Sequence, residues 1–225
     1  MSASLRRGIG ALGVVALLAC VLALPVRAED RGRDHFWEIT PLVGIGWGGS
    51  IDFVGSTSGG SGEIEFESGP VIGAQIGARF AEEGAGFVSY QFQRTTAEVR
   101  WDANFLPDQS IDVDIGYLQF GGELELPVNP RLTPFIGLGI GATHITPREG
   151  DGDTEWFFSG SFFGGAKLAL TRHVGLRLQM NLLATVIQND SDIFCVSSGG
   201  LTCAVSTDLE SMIQGNFVGS VYVAF

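Results

Sequence analysis

The chain has 225 residues, 45% of them hydrophobic and 17% charged, with 13 basic against 25 acidic side chains for a net charge of −12. That length suits one domain of ordinary size, and no linker or low-complexity stretch divides it. So acidic a chain is a poor partner for nucleic acid.

The chain opens on Arg6 and Arg7, runs apolar from Ile9 to Leu24, and reaches Val26 and Ala28 just before Glu29. This is the layout of a secretory signal peptide, residues 1–28, with cleavage expected after Ala28. Pro25 and Arg27 interrupt the run, which is short for a bilayer-spanning helix retained in the product. Leu17-Leu18-Ala19-Cys20 also reads as a lipobox, but Val21 to Val26 stays apolar where a lipoprotein turns polar. Each alternative implies export. Removing the leader takes three of the 13 basic residues and no acid, leaving ten against 25 in residues 29–225, a net charge of −15.

Beyond the leader the apolar residues recur with period two, the signature of strands. The first segment, 37–47, sets Trp37, Ile39, Pro41, Val43, Ile45 and Trp47 against Glu38, Thr40, Leu42, Gly44 and Gly46. An apolar face of roughly ten residues bracketed by tryptophans suits a strand that crosses hydrocarbon between two interfacial belts. The pattern returns at 70–80 (Ile72, Ile76, Phe80) and at 86–99, where Val88, Tyr90 and Phe92 oppose Ser89, Gln91 and Gln93. At 113–126, Leu118, Phe120 and Leu124 oppose Gln119, Glu123 and Glu125. The remaining segments are 131–145 (Ile136, Leu138, Ile140), 157–170 (Phe158, Phe162, Leu168), 174–187 (Leu176 to Val186 on even positions) and 211–225 (Ile213, Phe217, Val221).

Eight such strands predict an all-β fold, an eight-stranded antiparallel up-and-down transmembrane β-barrel with its greasy face outward. The rival is a lipocalin-like calyx with the apolar face turned inward. Short connections near 81–85, 127–131 and 171–173 alternate with long ones near 48–66, 100–112, 146–156 and 188–210. Short periplasmic turns and long extracellular loops favour the membrane reading and place the chain in the outer membrane of a Gram-negative cell.

Cys195 and Cys203 lie across a Ser/Gly-rich segment and read as a disulfide in an exported protein. Arg79, Glu123, Glu125, Lys167 and Arg177 fall mid-strand on the polar face, where a narrow lumen requires them to pair. An eight-stranded barrel has room for little beyond its own side chains, so pairing would plug it; a gated ion path is the alternative. Sixteen of the 25 acids lie in or beside the long connections, with Asp151-Gly152-Asp153-Thr154-Glu155 nearest to a Ca²⁺ cradle. That spacing does not complete an EF-hand loop, and a solvated, aggregation-resistant surface is the plainer reading. Of the histidines, only His144, two residues before Thr146 and near Glu149 and Glu155, can be drawn as a catalytic set; Thr146 is followed by Pro147. His35 lies ahead of the first strand, in the N-terminal stretch, and His173 in a turn. No cofactor or metal motif is complete.

Trp37-Glu38-Ile39-Thr40-Pro41, Arg131-Leu132-Thr133-Pro134-Phe135-Ile136-Gly137 and Ile193-Phe194-Cys195 with Cys203 resemble the small proteobacterial outer-membrane barrels of the OmpA-like and OmpX-like type. The resemblance covers nearly all of residues 29–225 and implies a fold and a location without a common chemistry. Phe217, Val221, Val223 and the final Phe225 resemble the C-terminal signature read by the outer-membrane assembly machinery. The His-x-Ser pair of outer-membrane lipid A deacylases would fall on His144 and Thr146, a departure at the nucleophile. The expected function is a structural or surface-interaction role with a plugged lumen, no enzymatic activity, and lipid and lipopolysaccharide as partners. A small channel for ions or apolar solutes is the alternative.

Overall fold

The computed structural model describes residues 36–55, 61–81, 83–101, 109–126, 128–148, 154–187, 195–197, 201–205 and 210–225. The leader with Cys20, His35, Glu149 and the 151–153 part of the acidic segment lie outside the described residues. Among the described residues there are twelve strands: β1 (Trp37–Trp47), β2 (Ser50–Gly55), β3 (Ser61–Phe66), β4 (Gly69–Arg79), β5 (Gly84–Trp101), β6 (Gln109–Glu125), β7 (Leu132–Pro147), β8 (Glu155–Ala169), β9 (Val174–Ile187), β10 (Cys195–Ser197), β11 (Leu201–Val205) and β12 (Glu210–Ala224).

Eight of them, β1-β4-β5-β6-β7-β8-β9-β12, pair antiparallel in a ring that closes between β12 and β1. At the short-turn end Trp37 and Phe225 exchange both backbone hydrogen bonds, at 3.0 and 2.9 Å. Within the closing seam the described ladder skips residues 40–42, where Pro41 has no N–H to donate.

Two of the expected long loops carry strands. β2 and β3 form a hairpin in 48–66, and β10 and β11 form one in 188–210. β3 pairs with β5 through Gly62↔Trp101 to Phe66↔Ala97, and β11 joins β2 through Ala204↔Gly55 and Val205↔Val54. The two longest connections therefore prolong the barrel wall as one sheet. Gly48 and Gly49 break β1 from β2 with φ of 77° and 110°, a backbone that requires glycine. There the Gln214 side chain donates to the Gly48 carbonyl at 3.0 Å.

The ring strands run to 18 residues, beyond the roughly 9–11 that cross hydrocarbon. Side-chain chemistry shows where the surplus lies. Along β5 the outward residues are Val88, Tyr90 and Phe92, then Arg94, Thr96, Glu98 and Arg100. The inward ones are Ser89, Gln91 and Gln93, then Thr95, Ala97 and Val99. β6 changes at the same level: outward Phe120 and Leu118 give way to Asp114 and Asp112, while inward Gln119 gives way to Tyr117, Ile115 and Val113. The barrel thus has two storeys, one greasy outside and polar inside, the other polar outside with an apolar core. That core joins Ile64, Phe66, Val99, Val113, Ile115, Ile145, Leu183 and Met212, among others.

Candidate functional site

The polar storey is closed by an ion network near the short turns. Lys167 on β8 donates to Glu38 Oε2 at 2.9 Å, Glu123 Oε1 at 2.6 Å and Glu125 Oε1 at 2.8 Å, so its three ammonium protons each meet a carboxylate. Arg177 on β9 donates from Nη2 to Glu123 Oε2 at 2.8 Å, from Nη1 to Glu38 Oε1 at 3.4 Å, and from Nε to Gln179 Oε1 at 2.7 Å. Arg79 on β4 reaches Glu125 Oε2 at 2.5 Å. Three cations thus face three carboxylates drawn from β1, β4, β6, β8 and β9. Buried ions cost several kcal/mol each unless paired and fully hydrogen-bonded, and this arrangement supplies both.

Phe135 lies beneath the cations, its ring 4.1 Å from Arg177 Cζ and 5.7 Å from Lys167 Nζ, and packs with Phe87 and Phe163. From Arg177 a one-way chain of donors crosses the lumen. Gln179 donates to Asn181 at 2.5 Å, Asn181 to Asn216, and Asn216 to Gln91 at 3.0 Å, linking β9 through β12 to β5. Gln119 donates to Ser159 at 2.7 Å on another side. Above this layer sits the apolar core of the second storey.

The structure therefore brings Arg79, Glu123, Glu125, Lys167 and Arg177 into one cluster and adds Glu38 to it. Glu38 shares the inward parity of Thr40 and Leu42 on β1, and that parity is the signal that would have found it. The apolar core has a weaker signal, a change of phase in the alternation along β5 and β6.

His144 lies on the outer wall, its Nε2 3.0 Å from the Tyr90 hydroxyl and its ring 5.0 Å from that of Trp156. The Thr146 hydroxyl pairs instead with Thr154 at 3.0 Å. Among the described residues no hydrogen bond joins His144 to Thr146. Phe217, Val221, Val223 and Phe225 all face outward along β12. The backbone of Cys195 stands directly opposite that of Cys203 in the β10–β11 ladder.

A closed ring of eight antiparallel strands, apolar on its outer girth and ionic within, defines a membrane-spanning β-barrel. The chain belongs to the outer membrane protein beta-barrel domain family, which matches residues 16–206. Its structure is similar to that of Neisserial surface protein A, at 13% identity and a TM-score of 0.51 over 84% of this chain and 97% of that one. It is also similar to the outer membrane protein OprG from Pseudomonas aeruginosa, at 10% identity and a TM-score of 0.60 over 88% and 99%. No curated protein matches the sequence. The protein is thus an outer-membrane β-barrel.

Proposed function

We propose that this barrel is a non-conducting scaffold that presents its long-loop storey outside the cell for surface interactions. The observation that carries the reading is Lys167, held by three carboxylates from β1 and β6 across the lumen, under a side-chain exposure of 6%. An ion entering here would have to displace partners that are already satisfied, beneath a core that is largely apolar. The short turns face the periplasm and the prolonged sheet faces outward, following the usual asymmetry of such barrels. The outward row of Phe217, Val221, Val223 and Phe225 serves the assembly machinery, and lipopolysaccharide surrounds the outer half of the wall. Cys195 and Cys203, opposed across a ladder, form a disulfide; facing Cα atoms about 4.5–5.5 Å apart suit one.

Conductance of the purified protein in planar bilayers tests the scaffold reading. The expected record is flat, for the wild type and over a range of voltages. Discrete openings in the wild type that change on Glu123→Ala or Arg177→Ala would overturn it in favour of a channel.

A further inference from the structure

Three described arginines stand outward on the polar storey, Arg94 and Arg100 on β5 and Arg148 just past the end of β7, and they differ in how they are held. Arg100 makes two tight ion pairs, with Glu65 at 2.8 Å and Glu98 at 2.7 Å. Arg94 and Arg148 approach one carboxylate, Asp114, only to 3.5 and 3.9 Å, and Arg148 lies 3.9 Å from Asp112. These are loose pairs, at sites where the Arg94 and Arg148 side chains are 62% and 45% exposed. Exposed pairs of that kind contribute little and exchange readily for a better acceptor.

The register places this pair directly above an amphipathic row. Phe92, Gly116, His144 and Trp156 are consecutive cross-strand neighbours, and Arg94, Asp114 and Thr146 form the next row toward the long-loop end. The His144 ring occupies the space over Gly116, where a Cβ would come within 2.0 Å of Nε2. Tyr90 holds that ring from one side and Trp156 packs against the other. Below the row the wall is wholly apolar, with Leu118, Phe120, Ile140 and Phe158 exposed. The face therefore runs from hydrocarbon, through aromatic groups suited to an interface, to two guanidinia with exchangeable partners.

We propose that this face of β5–β8 binds the phosphorylated head of an outer-leaflet glycolipid, with a phosphate between Arg94 and Arg148 and acyl chains along the apolar wall below. A phosphate offers more charge and more acceptor oxygens than Asp114, and guanidinium forks match it in bidentate geometry. Asp112 and Asp114 keep the two guanidinia on the same side until the phosphate arrives. The surrounding acids (Glu63, Glu65, Glu98) make the site local, because the face as a whole does not attract anions. The proposal rests on the outward orientation given above.

The test is a titration of the folded full-length barrel in detergent micelles with diphosphoryl lipid A, read by native mass spectrometry, with phosphatidylglycerol as the comparison lipid. Lipid A should bind in preference to phosphatidylglycerol. The double variant Arg94→Ala/Arg148→Ala should weaken lipid A by at least about tenfold, while Arg100→Ala leaves it unchanged. These are surface positions, and heat-modifiable gel mobility checks that each variant is folded. Equal binding by the double variant, an equal loss in Arg100→Ala, or equal affinity for phosphatidylglycerol would each overturn the site. Thiol labelling of intact cells carrying a Ser110→Cys variant reads the orientation separately. A buried label with intact micelle binding would overturn the orientation, and with it the membrane role of the site. Loss of binding with an accessible label would overturn the site alone.

Discussion

Arg177 Nη2 lies 2.8 Å from Glu123 Oε2, joining β9 to β6 across the lumen with side-chain exposures of 0% and 2%. Neither side chain is exposed to water, so each depends for its charge on the network, Glu123 on Arg177 and Lys167, and Arg177 on Glu123 and Glu38. Glu123→Gln removes one of three carboxylates while Lys167 and Arg177 stay buried. Breaking such a pair from one side costs about 3–5 kcal/mol. The expected outcome is a marked fall in the urea midpoint of the barrel in lipid vesicles. A conservative Glu123→Asp, which keeps the charge, should lose less.

Glycine on the inner wall is required where neighbouring backbones crowd it. A Cβ on Gly141 would stand 1.9 Å from the Leu118 carbonyl oxygen, which belongs to the ladder and cannot move aside. One on Gly160, which faces outward with Phe158 and Phe162 on the adjacent strand, would meet nothing nearer than 3.7 Å. Gly141→Ala should therefore cost about 1–3 kcal/mol through overpacking, and Gly160→Ala close to nothing. Paired refolding yields on a heat-modifiability gel distinguish the two; equal behaviour would contradict the stated wall geometry.

The ring strands were legible because parity alone sorts Leu118 and Phe120 outward and Gln119 and Glu123 inward, whichever medium lies on either side. Location followed from loop lengths and from aromatic residues at strand ends such as Trp37 and Trp47. The second storey was harder to see, since alternation continues through Asp112-Val113-Asp114-Ile115 without interruption. What changes there is its phase: apolar residues move from even positions (118, 120) to odd ones (113, 115), and on β5 from Phe92 to Ala97 and Val99. That flip marks the level at which the outer wall leaves hydrocarbon for water. β2 and β3 stayed hidden because Ile51 and the Glu63-Ile64-Glu65-Phe66 alternation are short and embedded in Ser and Gly. Each hairpin is held by its neighbours, β5 for one and β2 for the other, which local sequence does not encode.

The two storeys make opposite demands on residues five apart on one strand. Ile145 on β7 is fully buried in the apolar core, whereas Ile140 faces the hydrocarbon with 51% exposure. Ile145→Ala should cost about 2–5 kcal/mol, because the cavity it leaves is walled by fixed neighbours such as Ile115. At Ile140→Ala mobile lipid fills the space, and the loss should be well below that. Urea unfolding of both variants in the same vesicles checks the order, and a larger loss at Ile140 would mean the outward and inward faces are misassigned.

Cys195 and Cys203 face each other in a hairpin that, among the described residues, pairs with the rest of the sheet through β11 and β2. A disulfide there restrains a loop of about eight residues, for which the chain-entropy effect is roughly 2–3 kcal/mol. The gain belongs to the hairpin, because opening it leaves all eight ring strands paired. Alkylation of the oxidised protein should leave both cysteines unmodified until a reductant is added. Reduction, or Cys195→Ser, should speed proteolysis within 188–210 and leave the barrel's urea midpoint where it was. Alkylation of both thiols without prior reduction would show that the hairpin is held by its backbone ladder alone, and a shift of the whole barrel's midpoint would show that the staple reaches the ring.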